Sequence, residues 1–124
     1  AATDDKQARE TCTARDIPPP GQSAESHDAK AFYPPGENVP IEAFTHVIGH
    51  GYVVIRYRPD IETAALQRLK TLATKTSQYA IVSPDPDLTQ PIKVITAYRQ
   101  LDCTATDIDA VVNFHDAWLE SVGI

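Results

Sequence analysis

His46-Val47-Ile48-Gly49-His50-Gly51-Tyr52-Val53-Val54-Ile55-Arg56-Tyr57-Arg58-Pro59 is the stretch on which the fold turns. β-Branched and aromatic residues crowd its second half, and Pro59, with no N–H to give a ladder, stops it. Its composition predicts a strand over Thr45–Arg58, approached through a segment that Gly49 and Gly51 interrupt. Downstream, Asp60 reads as a helix N-cap with Glu62 in the first turn. Ile61, Ala65, Leu66, Leu69, Leu72 and Ala73 recur at helical spacing, and Lys70 and Lys75 suit the C-terminal end. Tyr79–Val82 reads as a second strand and Ser83-Pro84-Asp85-Pro86-Asp87 as a turn. A third strand is expected from Ile92 to about Leu101, with Ile92, Val94, Thr96 and Tyr98 on one face. So short a connection predicts a hairpin through Pro84–Pro91. Thr106-x-x-Asp109 resembles a capping box. The last helix carries Ile108, Val111, Val112, His115, Leu119 and Val122 as its stripe, and Gly123 stands where a C′ glycine belongs.

Upstream the character changes. Residues 1–30 are polar, and Pro18-Pro19-Pro20-Gly21 ends any helix that begins near Asp4. Pro34-Pro35-Gly36 and Pro40 continue the irregular run. The expectation is a single domain over 1–124: an irregular, proline-rich N-terminal arm over 1–42 and an α+β core over 43–124. The core order is β-α-β-β-α, a small, mainly antiparallel sheet with two helices on one face.

A chain of 124 residues with 42% hydrophobic and 23% charged residues fits one domain with a core. The net charge of −6 comes from 17 acidic against 11 basic residues with no basic cluster, which argues against nucleic acid as a partner. No apolar run approaches the roughly 20 residues of a membrane span. Methionine is absent, even at position 1, and the chain begins Ala1-Ala2-Thr3-Asp4. A removed signal peptide and an extracytoplasmic location, periplasmic or secreted, are expected. In that setting the two cysteines, Cys12 and Cys103, are expected to form one disulfide; two separate buried thiols are the alternative. No Cys-x-x-Cys pair supports redox exchange.

Of the four histidines, His46 and His50 are four apart and share a face in a helix or in a strand. Two such imidazoles are half of a metal site, or else a hydrogen-bonded structural pair. His115 lies on the apolar stripe of the last helix and reads as a satisfied core or boundary histidine. It becomes a fourth ligand, or braces the ligands by a hydrogen bond, if that helix packs behind His46 and His50. Asp60, Asp85 and Asp87 lack EF-hand spacing. Ser23, Ser26 and Ser83 lack a nucleophile elbow, and no glycine-rich phosphate loop is present.

His46-x-x-x-His50-Gly51, followed by Val53-Val54-Ile55 and Tyr57-Arg58-Pro59, resembles the central motif of a bacterial domain-of-unknown-function family, number 3105. Members of that family typically sit outside the cytoplasm. The resemblance extends to His27 after a Ser-rich turn, Tyr33, Ser83-Pro84-x-Pro86-x-Leu88 and Thr96-Ala97-Tyr98, and so spans roughly residues 22 to 115. Three departures stand out. Gly49 replaces a usual acidic residue, Glu25-Ser26 replaces a usual Gly-Pro, and Tyr98 replaces a usual tryptophan. The resemblance implies that His27 joins His46 and His50 as a three-histidine set, with Tyr33, like His115, bracing those ligands or serving as a fourth. Imidazoles suit copper, zinc, nickel and iron; three with an open position favour Cu(II) or Zn(II). Copper(II) is preferred, by association with extracytoplasmic proteins, and zinc is the alternative. With no methionine, a thioether Cu(I) carrier is excluded, and an oxidised Cys103 leaves no thiolate for a blue-copper site. The expected function is therefore an extracytoplasmic metal-binding protein, in storage, delivery or sensing, with an extracytoplasmic protein as a further partner. A small metal-dependent enzyme using a water in the open position, and a non-catalytic interaction domain with structural histidines, are the alternatives. The missing carboxylate at position 49 leans against turnover.

Overall fold

The computed structural model describes residues 11–19 and 29–124. It is a small α+β domain with one mixed sheet and three helices: β1 (Cys12–Asp16), α1 (Thr45–Gly49), β2 (Val53–Tyr57), α2 (Thr63–Thr71), β3 (Ala80–Pro84), β4 (Ile92–Ile95), β5 (Arg99–Cys103) and α3 (Ile108–Ser121). A 3₁₀ turn over Ile41–Phe44 leads into α1, and a π-helical turn over Leu72–Thr76 extends α2. The strand order is β1-β5-β4-β2-β3. β2 and β3 run parallel, and the other three pairings are antiparallel.

Every residue of β2 is buried. As a central strand it needs a partner on each edge, and this overturns the expected hairpin. The β2-α2-β3 crossover lays β3 parallel along one edge of β2. The chain then passes over the end of β2, where Asp85 N–H donates to Tyr57 O at 2.9 Å and Arg58 N–H to Pro91 O at 2.9 Å. β4 is thereby delivered to the opposite edge, antiparallel. β3 also runs on to Pro84, through residues expected in the turn.

The expected third strand is two strands. Thr96 ends β4: its N–H donates to Arg99 O at 2.9 Å, and its hydroxyl accepts from Arg99 N–H at 3.1 Å. Ala97 and Tyr98 make the turn without the glycine that announces a tight hairpin, so alternation alone read straight through it. The observed order is therefore β-α-β-α-β-β-β-α, not β-α-β-β-α. The arm is not wholly irregular either. β1 pairs along β5, with Cys12 opposite Cys103, and Phe32 bridges Val82.

The expected helix caps also shift. α2 starts after Glu62 rather than Asp60; the Asp60 carboxylate instead accepts from Arg58 Nε at 2.6 Å. α3 is capped by Asp107, whose Oδ1 accepts from Ala110 N–H at 3.1 Å, while Thr106 turns its hydroxyl to Glu62. Gly123, at φ +79°, ends α3 as expected.

One side of the sheet carries Val53, Ile55, Tyr57, Ile92, Val94, Leu101 and Cys103, all buried. A continuous apolar surface of this kind receives the stripes Ala65-Leu69 of α2 and Ile108-Val111-His115-Trp118 of α3. The other side is divided. Val54, Arg56, Ile81 and Ser83 are buried, while Thr13, Arg15, Lys93 and Asp102 reach water. Arg56 holds the covering loop there. One of its terminal nitrogens donates to Val39 O at 2.7 Å and to Ser83 Oγ at 3.0 Å. Burial pushes the Arg56 pKa down, and the Asp85 carboxylate at 3.5 Å and the charge of Glu42 pull it back up. Among the described residues its Nε has no hydrogen-bond partner.

Tyr57 gives the fold an alkaline limit. Its buried hydroxyl donates to Tyr33 O at 2.7 Å, and burial first, then the charge of Glu37, pushes its pKa up to about 12. A raised folded pKa means that stability is complete below the free phenol's value of about 10. It is then lost as pH rises towards 12. Denaturant midpoints should fall across pH 10–12 in the wild type. Tyr57→Phe should flatten that slope, and an unchanged slope would show that other groups set the limit.

Candidate metal centre

The two histidines four residues apart are brought together, but on a helix rather than on the expected strand over Thr45–Arg58. Pro40, extended at φ −66° and ψ 148°, starts the turn that becomes α1. Phe44, Val47 and Ile48 then fall at i, i+3 and i+4 and are all buried. The β-branched residues that suggested a strand are the packed face of this short helix, which tertiary burial stabilises against their propensity.

Gly51 is what stops it. At φ +99° it allows Gly51 N–H to donate to Ile48 O at 3.0 Å and Tyr52 N–H to Val47 O at 3.1 Å, the paired bonds of a Schellman termination. A Cβ at position 51 would also stand 2.9 Å from Ile124 Cδ1. From the other side Trp118 Nε1–H donates to Gly51 O at 3.0 Å, fixing the end of α1 against α3.

His46 and His50 therefore project from successive turns of one helix face, His46 half-buried and His50 exposed. Their Nε2 atoms are 3.2 Å apart, and their ring centroids 4.7 Å with planes at 66°. With one ring donating its N–H to the other, that spacing is a hydrogen bond between the two imidazoles. It is also a chelating spacing. Nitrogens about 2.0–2.1 Å from one ion and 3.2 Å from each other subtend an angle of about 100° at it, between the square-planar and tetrahedral values.

The other expected site residues divide. His27 lies outside the described residues. Tyr33 is committed to the core: its hydroxyl accepts from Lys30 N–H at 2.8 Å, its carbonyl accepts from Tyr57, and its ring meets Phe44 edge-on at 5.7 Å. His115 is a satisfied buried histidine, 2.7 Å from Ser77 Oγ through Nε2 and 2.9 Å from Asp116 Oδ1 through Nδ1. Both ring nitrogens being engaged, it is not placed to act as a fourth ligand. Cys103 is bonded to Cys12 and offers no thiolate. Among the described residues no group of three or more His, Cys, Asp or Glu side chains is arranged to hold a metal ion.

Beside His50 a cleft of about 380 Å³ is lined by Ala29, Val47, Tyr52, Tyr79 and Ile81. Tyr52 and Tyr79, both on its wall, meet edge-on at 5.4 Å. Their sequence positions announce no partnership. They meet because β2 and β3 pair from Val53 and Ala80 onwards, which leaves the preceding residue of each strand at the same end of the sheet.

Fold and site thus define a small disulfide-tied α+β domain with an imidazole pair on a short, glycine-stopped helix. The chain belongs to the family described as "Protein of unknown function (DUF3105)", whose model matches residues 7–121. Among curated proteins and solved structures, none matches it.

Proposed function

We propose that this domain is an extracytoplasmic metal-binding protein that takes copper(II), with zinc as the second ion, through His46 and His50. His27 supplies the third imidazole and a solvent position stays open. The observation that carries this is the Nε2–Nε2 distance of 3.2 Å on an exposed helix end, where two ligands sit at chelating separation. Gly51 supports it by stopping α1 immediately after His50, so the face carrying both rings ends at solvent. The Cys12–Cys103 disulfide supports an oxidising compartment. Storage, delivery or sensing suits a shallow, solvent-facing site better than turnover does, because no acidic side chain stands beside His50 at position 49 to act as a base.

The test is a competitive Cu(II) titration of the wild type and of His27→Ala, His46→Ala, His50→Ala and His115→Ala. His46→Ala and His50→Ala should each weaken binding by about 100-fold or more, and His27→Ala by about tenfold or more. His115→Ala should leave affinity within about twofold. Acidifying the wild type to about pH 5 should release the ion, because protons and metal compete for the same lone pairs. Equal affinities across all five proteins would remove the site.

A further inference from the structure

We propose that Ser77, His115 and Asp116 form a second site, an acyl-transfer centre in which Ser77 is the nucleophile towards an ester with an apolar acyl chain. It is independent of the His46–His50 pair. Ser77 Oγ lies 2.7 Å from His115 Nε2, and His115 Nδ1 lies 2.9 Å from Asp116 Oδ1. Because Nδ1 faces a carboxylate, it carries the ring proton and donates it. Nε2 then holds the lone pair, and the Ser77 hydroxyl donates to it. In this connectivity a base activates a hydroxyl while a carboxylate keeps the base in the right tautomer. Tyr79 N–H donates to Ser77 Oγ at 3.0 Å and fixes the oxygen from a third direction.

The position of Ser77 supports the assignment. It directly follows the π-helical turn, where its N–H donates to Leu72 O at 2.8 Å, and such turns recur at functional sites. Ser77 is half-buried, whereas His115 is only 4% exposed, so the base works away from bulk water. Thr76, its chain neighbour, lines a groove of about 540 Å³ between α2 and α3 together with the apolar Leu72, Ile108 and Val112 and the polar Gln67, Arg68 and Thr71. Leu72, Ile108 and Val112 give this groove an apolar wall for an acyl chain, and Thr76 joins it along the chain to Ser77.

The chemistry balances with water alone. Ser77 Oγ bonds to the acyl carbon as its proton passes to His115 Nε2. The carbon–alkoxy bond breaks, and the leaving oxygen takes that proton and departs as an alcohol. Water then gives a proton to Nε2 and its hydroxyl to the acyl carbon. The acyl–Oγ bond breaks, the proton returns to Ser77, and a carboxylic acid leaves. Asp116 holds the ring and offsets the imidazolium charge throughout.

The experiment treats the full chain with a fluorophosphonate and, separately, with p-nitrophenyl butyrate. Intact mass, peptide mapping and nitrophenol release are the readouts, and a thermal melt of each variant is the control. One adduct per chain on Ser77 is expected, with none in Ser77→Ala. Asp116→Asn, a change at an exposed side chain, should slow both labelling and nitrophenol release at least about tenfold. His115→Gln, which keeps a hydrogen-bonding group but removes the base, should slow them about 100-fold or more. Should His115→Gln fail to melt cooperatively, the two other variants decide. A folded wild type that takes no adduct, an adduct on a residue other than Ser77, or an unchanged rate in Asp116→Asn overturns the proposal and leaves a purely structural hydrogen bond.

Discussion

Replacing Cys12 and Cys103 together by alanine is expected to lower the free energy of unfolding by about 4–5 kcal/mol. The bridge spans 91 residues of chain, and on the chain-entropy model a closed loop of that length confines the unfolded state by that amount. Set against a total of about 5–15 kcal/mol for a domain, the loss is a large fraction of the whole. It also has a place. Among the described residues β1 pairs with β5, and beyond that pairing and the disulfide its ties include Thr11 Oγ1–H to Asp107 Oδ2 at 2.8 Å, Thr104 N–H to Thr11 O at 2.7 Å, Ile17 N–H to Tyr98 O at 2.8 Å, and ion pairs to Arg99 and Asp102. Urea titrations of oxidised wild type, dithiothreitol-treated wild type and the double variant should give one high value and two low, matching ones. Hydrogen exchange should rise first along Cys12–Asp16 and on β5. A loss below about 1 kcal/mol would mean that the unfolded chain is already compact enough for the tie to be redundant.

Trp118→Ala is the second large effect, about 3–5 kcal/mol. The indole is 6% exposed, packs at 5.7 Å and 52° against Tyr98 of the β4–β5 turn, and donates to Gly51 O. One side chain therefore joins α3, the end of α1 and the last hairpin. Trp118→Phe keeps most of the packing and removes the hydrogen bond, leaving Gly51 O without the indole donor, and should cost about 1–2 kcal/mol. If the two variants cost the same, the hydrogen bond rather than the burial carries the contact.

Much of this was legible in the chain. Val53–Tyr57, Leu66–Ala73 and Ile108–Ser121 announced their elements through β-branched density or helical period, and two cysteines announced a bridge. What misled was local sequence whose meaning is set by distant partners. Val47 and Ile48 look like strand residues until Phe44, at helical spacing before them, shows which face is buried. Pro84–Pro91 looks like a hairpin loop until β2 is recognised as a strand with two open edges, so that β4 must pass over it. Ala97-Tyr98 is a turn made by the hydroxyl of Thr96, with no glycine or asparagine to signal it. β1 could not be read at all, because five mostly exposed residues become a strand only when Cys12 is placed opposite Cys103. In the candidate site the pairing of His46 with His50 followed from their spacing alone, since either secondary structure puts them on one side. The burial of His115 also followed, from its place on an apolar stripe. Its partner Ser77 did not, because the two are 38 residues apart and meet only through the packing of α3 on the turn after α2.

The measurement that bears most directly on the metal-binding account is elemental analysis of the untagged chain, desalted after one equivalent of Cu(II), beside His46→Ala/His50→Ala treated identically. About one copper per wild-type chain is expected, with less than a tenth of that in the double variant at an unchanged melting temperature. Equal copper in the two proteins, or a wild type that leaves the column without metal, would contradict the account and return His46 and His50 to a structural hydrogen-bonded pair.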